Sequence, residues 1–293
     1  NIERVGLIME NNRQDLMRTI QIKFPRLSKG QKLIAEYILN HYDKAAFMTA
    51  DKLGDSIGVS ESTVVRFATE LGFSGYPKLQ KSLQQLIRNK LTTVQRIELS
   101  NEYITQENAL KNVLKADMEN IKTTLENINY ETFDDIVNSL FKAKKIYIIG
   151  LRDSSSLAEF LGFYLNLILD NVKVVAYGVS DIFEQMLNVN EHDIVIGIGF
   201  PRYTMRTIEA LDFAKSKNAN IVVITDSLLS PLAEKADHTL IAQSNMTSFV
   251  DSLVAPLSVI NALIIAVGLR EKEKISSTFS TLEEIWKEYK VYK

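Results

Sequence analysis

Met48–Leu71 reads MTADKLGDSIGVSESTVVRFATEL and carries the pattern of two short amphipathic helices joined by a tight turn. Leu53 and Ile57 stand four apart, so both fall on one helix face. Gly58 follows at the point where a helix end calls for a residue tolerant of positive φ. Val59 is placed to pack inward, and Ser60 to cap the next helix with its side-chain oxygen. That helix would bury Val64, Phe67, Ala68 and Leu71 and leave Glu61, Ser62, Thr63 and Arg66 in solvent. A helix, a glycine-bearing turn and a hydroxyl-capped second helix make a helix-turn-helix. A small, polar first turn on the second helix is what reading the major groove of DNA requires. An ordinary helical hairpin with a solvated face has the same spacing.

Working outward, the 293 residues suffice for two domains, and 46% apolar content provides for a sizeable core. The chain has no cysteine, so disulfides and thiolate metal sites are excluded, as fits a reducing cytoplasmic setting. The three histidines, His41, His192 and His238, are scattered too widely for a metal cluster. No apolar run reaches the roughly 18 residues of a membrane span, and the first residues, NIERVGLIMENN, lack a signal-peptide core. Net charge is −2, but unevenly spread: residues 1–100 hold 15 Lys and Arg against 10 Asp and Glu, and residues 101–293 hold 19 against 26. The basic surplus therefore falls on the half with the helix-turn-helix, where phosphate contact would need it.

Before that motif, residues 10–24 read as a helix (Leu16, Ile20, Phe24) stopped by Pro25. Ser28 caps a second helix to about Asn40, with Leu33, Ile34, Tyr37 and Ile38 as its stripe, and a helical turn follows at 43–47. After Leu71 comes a tight connector, 72–77, then a helix from Lys78 to about Lys90. Its inward residues are Leu79, Leu83, Leu86 and Ile87, and its outward ones Lys78, Lys81 and Arg88. Residues 91–107 are polar with weak periodicity and read as a linker. Helical spacing returns over 108–128 (Leu110, Val113, Leu114, Met118, Ile121, Leu125) and over 130–142.

From Lys145 short apolar runs alternate with helical stretches. KIYIIG (145–150), VKVVAY (172–177), DIVIGIG (193–199), NIVVITD (220–226) and HTLIA (238–242) are strand-like, with near-continuous Val/Ile as in strands covered on both faces. Helices are expected at 154–169, 181–188, 204–217, 230–235, 249–269 and 282–289. The alternation implies a doubly wound, five-stranded parallel sheet of flavodoxin-like type.

In such a sheet ligands bind beyond the carboxyl ends of the strands, at helix N-termini. After the first strand stand Arg152, Asp153, Ser154, Ser155 and Ser156; after the third stand Arg202, Tyr203, Thr204 and Arg206. Hydroxyls and free amides at a helix start, with arginines beside them, favour an anion. Serines at a helix start are also common as plain caps. The dinucleotide-binding pattern is absent, since no second and third glycine follow Gly150. An isomerase would need a general base; Glu184 and His192 lie in this half, but nothing in their spacing singles them out.

The segment from Phe24 to Leu83, and GVSESTVVRFATELGFSGYPKL (58–79) above all, resembles the helix-turn-helix domain of RpiR-type bacterial transcriptional regulators. The C-terminal part resembles the sugar isomerase (SIS) domain that accompanies it in that family. Gly150, Ser154 and Ala158 meet the SIS pattern G-x-G-x-S followed by alanine, with Arg152 in place of the second glycine. Of the second pattern, S-x-S-G-x-T, only Thr204 is met; Gly199, Pro201 and Arg202 stand where the two serines and the glycine would be.

The resemblance implies an all-α DNA-binding domain (1–90), a linker (91–107) and an α/β SIS domain with flanking helices (108–293). It implies a cytoplasmic regulator that binds double-stranded operator DNA as a homodimer or larger homo-oligomer, without a membrane, and senses a phosphorylated sugar or related anion. Expected DNA contacts are Ser60, Ser62, Thr63, Arg66, Lys78 and Lys81. Expected ligand contacts are Arg152, Ser154, Ser155, Ser156, Arg202, Tyr203 and Thr204. No catalytic residue, metal or cofactor is implied. A sugar-phosphate isomerase, and a regulator whose SIS domain only dimerises, are the alternatives.

Overall fold

The computed structural model describes residues 16–87 except 18, residues 92–100 and residues 104–292. The chain divides into two compact units, the second beginning at Leu110.

In the first unit, helical residues 19–23 run into a 3₁₀ turn, Phe24–Arg26, that holds Pro25. Four helices follow: α1 (Lys29–Ala45), α2 (Ala50–Ile57), α3 (Glu61–Glu70) and α4 (Tyr76–Ile87). Ser28 caps α1 in a reciprocal capping box with Gln31. The helix runs past Asn40 through a kink at His41, so the turn expected at 43–47 is largely its last turn. Ile34, Ala35 and Ile38 take its buried face, and Leu33, expected there, is turned out to 41% exposure. The connector 72–77 is two residues shorter than expected, because Tyr76 already begins α4. Thr93–Ser100 is also helical (α5), inside the stretch read as a linker. Residues 10–15, Arg88 and Lys90 lie outside the described residues.

The second unit opens with α6 (Ala109–Asn127) and α7 (Tyr130–Lys142). Five strands then make one parallel sheet, β1 (Ile146–Ile149), β2 (Val172–Val175), β3 (Ile194–Ile198), β4 (Asn220–Thr225) and β5 (His238–Ile241), in the order β2-β1-β3-β4-β5. Between and after them come α8 (Ser155–Ile168), α9 (Ile182–Gln185), α10 (Met205–Ser216), α11 (Val254–Arg270) and α12 (Lys272–Glu288). Period-two alternation gives each sheet face its own core. Ile146, Ile148, Ile196 and Ile224 pack with α7, α8 and α11, while Tyr147, Ile149, Val195 and Val223 pack with α9 and α10.

Four helix expectations change. Of 181–188 only Ile182–Gln185 is helical, and the helix expected from 249 begins at Val254. Residues 230–235 give only a 3₁₀ turn, Ala233–Lys235, with the Ser230 hydroxyl accepting the Ala233 amide across 3.0 Å. The last helix starts ten residues earlier than 282: Ser276, Ser277 and Thr278 weaken its helical signal, yet Ile275 packs on the core and anchors the first turn.

Among the described residues no single helix is long and apolar enough to cross a membrane.

Candidate functional site

The helix-turn-helix is built as its residues require. Thr49 caps α2 by accepting the Lys52 amide at 3.2 Å, and Gly58 ends the helix in the left-handed conformation at φ 72°. Ser60 occupies the N-cap of α3 in extended backbone, but its hydroxyl does not bond a first-turn amide. It meets the hydroxyls of Ser62 at 3.0 Å and Thr63 at 2.9 Å instead. The expected cap is thus replaced by three clustered hydroxyls; the Thr63 amide donates to the Ser60 carbonyl at 2.9 Å, and the amides of Glu61 and Ser62 stand at the helix start for an outside acceptor.

Ser60, Ser62 and Arg66 are exposed and Thr63 is half-buried. Arg66 is steadied by its Nε, which donates to the Ser62 carbonyl at 3.1 Å. Val65 lies between them at 39% exposure, an apolar side chain on a polar face that the periodicity argument passed over. Below, Val64, Phe67 and Ala68 are buried. The far end of α3 is tied by Lys23, whose Nζ donates to the Glu70 carbonyl at 2.6 Å, a cation at the negative end of the helix dipole.

The placement of α4 comes from a stripe that sequence reasoning did not mark. The Tyr76 hydroxyl donates to the carbonyls of Ala45 (3.2 Å) and Met48 (2.8 Å), Gln80 donates to Met48 (2.9 Å), and Gln84 to Ala46 (3.0 Å). These residues are four apart, so one face of α4 satisfies the carbonyls at the α1–α2 corner. Burial of Tyr76 pushes its phenol well above the ordinary range. Lys78 is exposed and Lys81 half-buried on the same helix.

In the second unit, β1 and β3 are neighbours although β2 separates them in sequence, with Ile149 paired to Gly197. Their carboxyl ends form the switch point where crevices open in such sheets. Arg152 and Arg202 follow these two ends, and both are left-handed, at φ 61° and φ 67°. A side chain there strains the backbone, and such strain gathers at functional sites. Both arginines are exposed.

The serines after β1 are engaged locally. Ser155 Oγ donates to the Arg152 carbonyl at 2.6 Å and Ser156 Oγ to the Asp153 carbonyl at 2.9 Å, while the Asp153 carboxylate accepts the Ser154 amide at 3.1 Å. Ser154 is buried. Thr204 caps α10 through its backbone alone. Tyr203 donates its hydroxyl to Asp226, just past β4, at 2.7 Å. Asp226 brings a third strand end into the group, and only the topology could have revealed it.

Arg206 is held elsewhere, against Asp181 at 3.1 Å and Glu209 at 3.3 Å and over the Phe183 ring. Glu184 completes a capping box with Asp181. His192 is exposed beside Glu191 and precedes β3, at the amino edge opposite the arginines.

Against known proteins, residues 14–90 match the helix-turn-helix domain of the rpiR family, and residues 139–266 match the SIS domain. The chain is 26% identical to the transcriptional regulator HexR of Escherichia coli K12, over 94% of this chain and 95% of that one. Among solved structures, the sugar isomerase domain of an RpiR transcription factor from Sphaerobacter thermophilus is 28% identical with a TM-score of 0.58, covering 60% of this chain and 99% of that one. Vibrio vulnificus NanR, solved with ManNAc-6P, is 20% identical with a TM-score of 0.52, covering 92% and 97%; at that identity the likeness is one of fold.

Proposed function

Since this chain belongs to the RpiR family of helix-turn-helix transcriptional regulators, with a SIS domain behind the DNA-binding one, we propose that it binds operator DNA through α3 and adjusts that binding to a phosphorylated sugar or related anion. The observation that carries the reading is the first turn of α3. Its hydroxyls cluster in solvent, its amides are uncapped by side chains, and Arg66 stands one turn further on.

On this reading Ser60 and the α3 N-terminus grip a phosphate. Ser62, Thr63 and Arg66 reach base edges or the backbone in the major groove, and Val65 supplies an apolar contact of the kind that fits a thymine methyl. Lys78 and Lys81 add phosphate contacts that fix register. A regulator that reads genomic DNA would act in the cytoplasm, a setting that suits a sequence without cysteine.

The effector site is the β1–β3 edge, where Arg152 and Arg202 supply positive charge and Ser154 and Thr204 lie at helix starts. NanR's complex with ManNAc-6P supports a phosphosugar on this fold. The effector acts only if it binds two arrangements of a homodimer unequally. The element it biases is the separation of the two α3 helices, which must match half-sites about 34 Å apart or a multiple of it.

The test is fluorescence anisotropy with the DNA upstream of the protein's own gene, with and without a panel of phosphorylated sugars. Salt-sensitive, sequence-preferring binding that one of them alters is the expected result. Binding indifferent to sequence removes the operator reading, and equal affinity with every sugar removes the sensing one.

A further inference from the structure

Helix α6 is amphipathic the wrong way round for a surface helix. Its buried face is polar: Asn120 and Thr124 are almost fully covered. Asn120 bonds Asn245 through both its amide nitrogen and its oxygen, Thr124 Oγ1 accepts the Gln243 amide at 2.9 Å, and Asp117 accepts the Ser252 hydroxyl at 2.6 Å. Polar side chains thus hold the helix to the irregular segment that follows β5. Its apolar face points out: Leu110, Val113, Leu114, Met118, Ile121 and Leu125 are 40–74% exposed. At 1.5 Å per residue the stripe runs about 22 Å. Soluble chains cover contiguous apolar surface of this kind.

We propose that this stripe is a seam on which a second copy of the chain packs, α6 antiparallel to α6, about a two-fold axis beside Met118. The stripe is nearly palindromic. Under such an axis Leu110 meets the partner's Leu125, Leu114 meets the partner's Ile121, and Met118 lies at the centre, as an isologous contact requires. The flanking charges fit the same axis. Lys111 and Lys115 lie in the first half of the helix and Glu119 and Glu126 in the second, all exposed; Lys122, also in the second half, pairs with Glu126 at 4.0 Å. Antiparallel packing sets Lys115 beside the partner's Glu119; parallel packing would set Lys115 beside Lys115 and Glu119 beside Glu119. The inference rests on the reading of the protein as a two-fold operator binder, which calls for one second copy.

The test uses the full chain without DNA or sugar. In sedimentation velocity at tens of micromolar the wild type is a dimer, and Leu114→Glu/Ile121→Glu raises the dimer dissociation constant at least about tenfold. Circular dichroism of that variant stays unchanged, since both side chains leave their own unit. Lys115→Glu weakens the dimer and Lys115→Glu/Glu119→Lys restores it. The chain has no cysteine, so Met118→Cys alone yields a covalent dimer on oxidation with copper–phenanthroline, while Leu110→Cys alone does not. A monomeric wild type, a dimer indifferent to the glutamates, or equal cross-linking at 110 and 118 overturns the proposal. Failure to bind DNA or to answer a sugar would sink the functional reading and leave these results standing.

Discussion

The carbonyl oxygen of Val59 lies 2.6 Å from where a β-carbon on Gly54 would stand. The turn of the helix-turn-helix is pressed against the middle of α2, and the absent side chain makes the contact possible. Glycine inside a helix ordinarily costs about 1 kcal/mol relative to alanine, so Gly54→Ala would stabilise an isolated helix. Here it forces backbone apart, and overpacking of that kind costs about 1–3 kcal/mol. Gly54→Ala should therefore lower the thermal midpoint and weaken DNA binding. A raised midpoint would show that the turn has room to yield.

Arg66→Ala should weaken specific binding by about 1–3 kcal/mol if the guanidinium reads a base. Lys78→Ala should weaken binding to all sequences alike and lower the salt slope by about one. Anisotropy across a salt series with operator and scrambled DNA separates them. Equal losses on both DNAs for Arg66→Ala would reassign it to the phosphates.

Arg152→Gly should separate stability from sensing. The left-handed backbone costs a non-glycine residue about 1–2 kcal/mol, and glycine returns part of that through unfolded-state entropy. The variant should gain up to about 1 kcal/mol in denaturant unfolding while its affinity for the proposed phosphosugar effector falls. Full sensitivity to effector in the variant would remove Arg152 from the site.

The first unit should lose stability in alkali. Tyr76 is held neutral by burial, and Tyr37 is raised as well, by burial and then by Asp43. In the unfolded chain these phenols ionise near the ordinary value of 10.0. Above that pH the unfolded state binds fewer protons than the folded one, so stability falls as pH rises. Thermal melts from pH 8 to 11 should show the decline. Tyr76→Phe should start lower, by about 0.5–1.5 kcal/mol per lost hydrogen bond, and fall less steeply. An unchanged alkaline slope would count against Tyr76 as a source.

The strands were legible because Val and Ile dominate β1 to β4, and every strand lies within two residues of its expected end. Gly58 announced its left-handed turn, and Ser28 its cap, because those roles are written in single residue types. What stayed hidden depends on neighbours distant in sequence. Ser60's hydroxyl was expected on an amide and lies on two other hydroxyls. Asp226 joins Tyr203 only once β4 lies beside β3. The left-handed backbone at Arg152 and Arg202 was invisible for the opposite reason: arginine does not advertise it. The SIS pattern carries glycine at both places, and its substitution keeps the shape while adding charge.

Tyr76, Gln80 and Gln84 fasten α4 to the α1–α2 corner through neutral donors on backbone carbonyls. Mobile ions barely screen bonds of that type, whereas they compete directly for a duplex's phosphates. The reader's posture and its grip therefore answer to different conditions: a rise in cellular potassium loosens the hold on the chromosome without warping the part that recognises it.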